Sequence, residues 1–119
     1  MERFSKYLAA VDGSNGWDTV GPLFYDAFDP DCVVITADGE YDRDGWAAMA
    51  KGLVDKGASA SGFEITREEG ETAYYHVTVN VPGAEPMRLT AVGTLRDGRM
   101  VRVEPVDPAA YASLVERSK

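Results

Sequence analysis

Two hydrophobic periods divide this chain. From Phe4 to Val54 apolar residues recur every three or four positions, which is typical of amphipathic helices. From Phe63 to Val103 they alternate with polar residues, which is typical of strands with one buried face. The change of period predicts helices in the first half of the chain and an antiparallel sheet in the second.

The first and third helices each have a clear apolar stripe. The first stripe is Phe4, Tyr7, Leu8 and Val11, and the third is Trp46, Met49, Ala50, Leu53 and Val54. Either Asp42 or Asp44 is suited to cap the third helix, and Gly57 is suited to end it.

The second helix contains a proline. Trp17 begins its apolar stripe, but Asp18 is a good N-cap, so we predict a short helix over Thr19–Ala27. Pro22 would then occupy the fourth helical position and forfeit about one backbone hydrogen bond.

Strands and a last helix complete the pattern. A β-branched run predicts a strand over Cys32–Thr36, and four further strands lie between Phe63 and Val106. Odd-numbered side chains from Tyr75 to Val103 are predicted to point inward. Asp107 followed by Pro108 marks the start of a terminal helix over Ala109–Arg117.

These elements predict an α+β fold with one domain over residues 1–119. A curved antiparallel sheet wraps around three N-terminal helices, and a short C-terminal helix follows. This layering leaves a conical cavity between the sheet and the helices.

Composition and charge narrow the function. The net charge of −8 disfavours nucleic acid and anionic lipid as partners, because both require clustered cations. The single cysteine, Cys32, excludes an intramolecular disulfide and lies in an apolar run, so we expect a buried thiol. The chain shows no signal-peptide pattern and no apolar run of membrane-spanning length, so we expect a cytoplasmic protein with no membrane partner.

The order of elements supports a family resemblance. Trp17 opening the second helix, Asp38-Gly39 before the third and Asp97–Val101 before the last strand resemble the nuclear transport factor 2-like superfamily. This superfamily includes SnoaL-like polyketide cyclases, ketosteroid isomerases and scytalone dehydratases. The resemblance implies a cystatin-like cone, while function has to be argued from individual residues.

The catalytic groups of these relatives do not carry over. Thr36 stands where the resemblance places the base of the ketosteroid isomerases, and Ala91 stands where it places their second carboxyl group. Their first-helix tyrosine corresponds to Tyr7 or Leu8. Scytalone dehydratases use two histidines, whereas this chain has only His76, which we expect on the outer sheet face. No catalytic residue, metal site or cofactor is therefore assigned.

Our first hypothesis is a domain that binds a small apolar or aromatic molecule in the cone, with hydroxyl groups among apolar walls. An alternative is a cofactor-independent isomerase, dehydratase or cyclase that uses Tyr7, Tyr75 or Asp38 as acid and base. A third is a protein-interaction module with a filled cone. The ligand-pocket residues of the first hypothesis are Tyr7, Phe24, Val34, Thr36, Trp46, Met49, Leu53, Tyr75, Leu89 and Val103.

The outer sheet face predicts a homodimer. Tyr74 and Val92 make this face too apolar for plain solvent exposure. Arg88 or Arg102 can pair with Glu104 across a two-fold interface, and the resembled superfamily commonly dimerises through this side.

Overall fold

The computed structural model describes all residues from 1 to 119. Its elements, in chain order, are helices α1 (Glu2–Ala10) and α2 (Trp17–Ala27), strands β1 (Phe28–Thr36) and β2 (Gly39–Asp42), helix α3 (Arg43–Asp55), strands β3 (Ser59–Glu69), β4 (Thr72–Asn80), β5 (Met87–Arg96) and β6 (Arg99–Pro105), and helix α4 (Pro108–Arg117).

The six strands form one curved sheet in the order β2-β1-β6-β5-β4-β3. Neighbouring strands are antiparallel except β1 and β6, which are parallel. The first three helices pack on one face of this sheet. The predicted α+β class, the curved sheet around three helices and the short C-terminal helix are all confirmed.

The helix ends follow local chemistry. The carboxylate of Asp42 accepts a hydrogen bond from the backbone N–H of Gly45 at 2.7 Å, so Asp42 rather than Asp44 caps α3. Gly57 follows the helix with φ +79°, a left-handed conformation that favours glycine. Asp107 caps α4 through the N–H of Ala109 at 3.1 Å, as predicted.

Helix α2 is longer than predicted. It begins at Trp17, and its N-cap is Gly16, whose backbone carbonyl accepts from Thr19 and Val20. Pro22 is therefore the sixth helical residue rather than the fourth. Pro22 is exposed and has no N–H to donate to the carbonyl of Asp18, so α2 lacks one backbone hydrogen bond at this position.

Two strand predictions also needed correction. Strand β1 starts at Phe28 rather than Cys32, because the chain continues straight from α2 into the sheet with a register shift between Phe28 and Val33. Strand β2 was not predicted. Its four residues, Gly39–Asp42, are mostly exposed, so they carry no hydrophobic alternation, and their strand character comes from pairing with β1.

Inward alternation holds on β4 and fails at one place on β6. Tyr75, Val77 and Val79 are buried, as predicted. On β6 the buried residues are Met100 and Val103, and Val101 is only half-buried. A register shift opposite Thr94 and Leu95 adds a residue between the two inward positions, so the strict odd-number prediction is wrong at Val101.

One hydrophobic core joins the helices to the inner sheet face. Helix α4 completes it, since Tyr111, Leu114 and Val115 are all buried. The helix is held at its start by the N–H of Ala37, which donates to the carbonyl of Pro108 at 3.1 Å. None of the four helices has the length and apolar character needed to cross a membrane.

Candidate functional site

A cavity of about 70 Å³ lies inside the cone. Helices α1, α3 and α4 and the inner face of the sheet form its walls, and all 19 lining residues are hydrophobic or aromatic. Those that sequence reasoning did not propose are Phe4, Leu8, Val11, Phe28, Ala50, Val54, Ala58, Ala60, Val77, Val79, Tyr111 and Leu114.

The structure brings seven of the ten proposed pocket residues to this cavity. They are Tyr7, Trp46, Met49, Leu53, Tyr75, Leu89 and Val103. Their position around the cavity is therefore established, whereas their role in ligand binding stays a prediction.

The other three proposed residues, Phe24, Val34 and Thr36, lie outside the cavity. Phe24 stacks on Phe28, with ring centroids 4.3 Å apart, and Phe28 lines the cavity in its place. Val34 is fully buried on β1, where α3 and α4 pack over the strand.

Thr36 has a structural role in a turn. Its hydroxyl donates to the carbonyl of Gly39 at 3.0 Å and accepts from the N–H of Asp38 at 3.1 Å. Asp38 itself is exposed in that turn. The acid–base alternative therefore loses Asp38, because its carboxylate is in solvent and not in the cone.

The cavity contains three tyrosines. Tyr7 comes from α1, Tyr75 from β4 and Tyr111 from α4. Sequence reasoning placed Tyr111 on the docking face of α4 but did not connect it with the cavity. The missing signal is the packing of α4 across the end of the cone, which brings residues 75 and 111 together.

These tyrosines hold their protons tightly. Burial raises the pKa of Tyr7, and no hydrogen bond opposes it. Burial also raises the pKa of Tyr111 to about 12, although the nearby Tyr75 hydroxyl lowers it slightly. For Tyr75, burial comes first, and the proximity of Tyr111 and Tyr7 raises the pKa further. All three are hydrogen-bond donors near neutral pH.

No base accompanies these donors in the cavity, since its lining includes no carboxylate and no histidine. His76 lies on the outer face of β4, with Nε2 at 3.7 Å from Oε2 of Glu64. The walls can therefore exclude charge and donate hydrogen bonds, but no wall residue is suited to abstract a proton.

An aromatic stack closes one side. The rings of Trp46 and Tyr111 are 5.8 Å apart and inclined by 14°, and Tyr41 meets Trp46 edge-on at 5.7 Å. Trp46 itself lines the cavity, so its fluorescence is suited to report occupancy.

Other candidate chemistry lies apart from the cavity. Cys32 is buried, and burial together with Asp29 raises the pKa of its thiol to about 12, so it is the unreactive core residue expected from its neighbours. No group of three His, Cys, Asp or Glu side chains is arranged to hold a metal ion.

Comparison with known proteins identifies the fold. No family model matches the chain. No curated protein matches it either. A candidate polyketide cyclase from Sinorhizobium meliloti has a solved structure that is 24% identical with a TM-score of 0.64, over 88% of this chain and 94% of that one.

Two further structures are similar. A candidate isomerase of the SnoaL-like family from Agrobacterium tumefaciens is 19% identical with a TM-score of 0.63, over 86% of this chain and 91% of that one. A nuclear transport factor 2-like protein of unknown function from Cytophaga hutchinsonii is 9% identical with a TM-score of 0.63, over 87% and 85%. At these identities the likeness establishes the fold and leaves the chemistry to be argued from the site.

Proposed function

We propose that this chain, which has the fold of SnoaL-like and nuclear transport factor 2-like proteins, binds a small, neutral, mainly apolar or aromatic molecule inside its cone. It uses no cofactor. The observation that carries this proposal is a cavity inside the cone whose walls are apolar except for tyrosine hydroxyls and the Trp46 indole.

Cavity size limits the ligand. A volume of about 70 Å³ is roughly half that of the engineered cavity of about 150 Å³ that binds benzene. A single-ring molecule therefore requires small outward shifts of the walls. Met49 is suited to allow them, because its unbranched thioether side chain adapts its shape readily.

Toluene tests the proposal. We expect it to raise the melting temperature and to change Trp46 fluorescence in a Trp17→Phe background, which leaves Trp46 as the only tryptophan. Ala50→Leu fills the cavity and should abolish both effects. Ala48→Leu is the matched control, because Ala48 is exposed on the same helix. If toluene acts equally on both variants, it binds elsewhere and the proposal fails.

Native mass spectrometry offers a second test. A bound metabolite should survive purification as an added mass on the wild-type protein, and Ala50→Leu should lack it. The filled-cone interaction module predicts no such mass, and the open space inside the cone does not favour that alternative.

A second candidate is a cofactor-independent isomerase, dehydratase or cyclase. Two structural neighbours favour this alternative, since one is described as a candidate polyketide cyclase and the other as a candidate isomerase. The absence of a base from the cavity lining argues against it. Cyclopentanone in deuterated water separates the two: an enzyme of this class accelerates exchange of the protons beside its carbonyl, whereas a binding domain leaves the rate unchanged.

We also propose that the protein forms a homodimer through its outer sheet face. Tyr74, His76 and Val92 are half-buried there and lie on neighbouring strands. Arg102 donates to Glu104 of its own strand at 2.5 Å. Each charge would therefore enter the interface with a partner, which avoids the larger cost of burying it alone.

A further inference from the structure

We infer that Tyr75 and Tyr111 form a hydrogen-bond-donor subsite, which selects neutral ligands that carry an oxygen acceptor, such as small ketones and phenols. This inference rests on the proposed function, because it names the class of molecule that the same cavity takes. It assigns a binding role to α4, the last element of the chain.

The two rings reach the cavity from different elements, β4 and α4, and are held in place by their neighbours. Tyr75 packs edge-on against Phe4 at 5.2 Å and lies over Gly93, where an added Cβ would be 3.3 Å from its Cε1 atom. Tyr111 is fixed by its stack on Trp46. Neither ring is therefore free to turn its hydroxyl towards solvent.

At least one of the two hydroxyl protons of Tyr75 and Tyr111 has no acceptor in the protein. Both hydroxyls belong to residues that line the cavity, and neither hydroxyl bonds to a backbone group, a carboxylate or an amide of the protein. Even if the two hydroxyls bond to each other, one of their two protons has no acceptor in the protein. A ligand oxygen in the cavity would accept it, and this gain is available only to ligands that carry such an acceptor.

The same walls select against charge. No lysine, arginine or histidine lines the cavity, so a carboxylate would lose its hydration without gaining a counter-ion. We therefore expect phenol to bind and benzoate to be rejected, although both are single-ring molecules with oxygen.

Phenol and toluene provide the test, since they are nearly equal in shape and differ in the hydroxyl group. In the Trp17→Phe background we expect phenol to bind about three- to tenfold more tightly than toluene, measured by Trp46 fluorescence and by melting temperature. Tyr75→Phe combined with Tyr111→Phe should remove this preference and keep toluene binding. Benzoate should show no binding to either protein.

The control is Tyr74→Phe, which removes a hydroxyl from the adjacent residue on the outer face of the same strand. It should keep the preference. If the double variant does not fold, Tyr111→Phe alone is measured instead. It should reduce the preference for phenol over toluene, and an unchanged preference in that variant overturns the subsite.

The outcomes separate the two proposals. Equal affinity for phenol and toluene in the wild-type protein overturns the subsite and leaves the binding function standing. A preference that survives in the double variant, or benzoate binding as tight as phenol, also overturns it. If neither toluene nor phenol binds, the proposed function itself fails, and the subsite fails with it.

Discussion

Gly52 on α3 lies against the residue that follows the end of α4. A Cβ built at Gly52 on α3 would be 2.4 Å from the carbonyl oxygen of Ser118, which follows α4. Because that oxygen belongs to the backbone, relief requires the chain at the end of α4 to move. We predict that Gly52→Ala lowers the free energy of unfolding by about 1–3 kcal/mol, measured by urea denaturation.

Lys51→Ala provides the comparison for Gly52. Lys51 is exposed on the same helix and loses only an ion pair with Asp55, so a change below about 0.5 kcal/mol is expected. Equal effects of the two substitutions would mean that the close helix contact contributes nothing.

The buried tyrosines predict a loss of stability in alkali. Tyrosine in the unfolded chain ionises near pH 10, whereas burial raises the pKa of Tyr111 to about 12. The folded state holds this proton more tightly, so the stabilisation is fully present below about pH 10 and is lost as pH rises towards 12.

Tyr111→Phe tests this linkage. It should reduce the fall in unfolding free energy between about pH 9 and pH 12 by up to about 3 kcal/mol, measured by urea denaturation across that range. Tyr25→Phe, at a surface position, should leave the fall unchanged. Equal pH dependence in Tyr111→Phe and the wild-type protein would show that Tyr111 is not buried in solution.

At the scale of elements, α4 closes the cone. Besides the bond at its start, Nζ of Lys56 donates to the carbonyl of Arg117 at 3.0 Å, and Nη1 of Arg117 donates to the carbonyl of Glu85 at 2.6 Å. Tyr111 and Leu114 then face the cavity. A short terminal helix is thus tied to three separate parts of the chain.

Leu114→Ala should enlarge the cavity at this helix. We predict a loss of about 2–5 kcal/mol in unfolding free energy, because a buried side chain is replaced by empty space. Toluene should raise the melting temperature of this variant by more than it raises that of the wild-type protein. A smaller shift in the variant would mean that Leu114 does not border the space that toluene fills.

At the scale of the whole molecule, the outer sheet face is the proposed dimer interface. Val92 pairs with Tyr74 on one side and with Glu104 on the other, near the middle of that face. We predict that Val92→Arg converts the proposed dimer to a monomer, measured by sedimentation. Glu68→Gln changes net charge by the same amount at an exposed position and should leave the dimer intact. A monomeric wild-type protein would refute the dimer.

Local sequence determined most of the elements of this fold. The apolar stripe of α1, the caps Asp42 and Asp107 and the alternation along β4 each depend on residues close together in the chain, so their effects appear in the sequence. Strand β2 could not be predicted in this way, because its residues are strand-like only through their pairing with β1.

The same distinction between local pattern and tertiary contact applies to the candidate site. Period and parity were enough to place Tyr7, Trp46 and Tyr75 on inward faces. Only the tertiary structure decided that Tyr75 and Tyr111 line the same cavity and that Thr36 lies outside it, since strand order, the parallel β1–β6 pair and the path of α4 bring together residues far apart in the chain. Hydrophobic period reports which way a side chain faces, whereas its partner depends on contacts that no local pattern encodes.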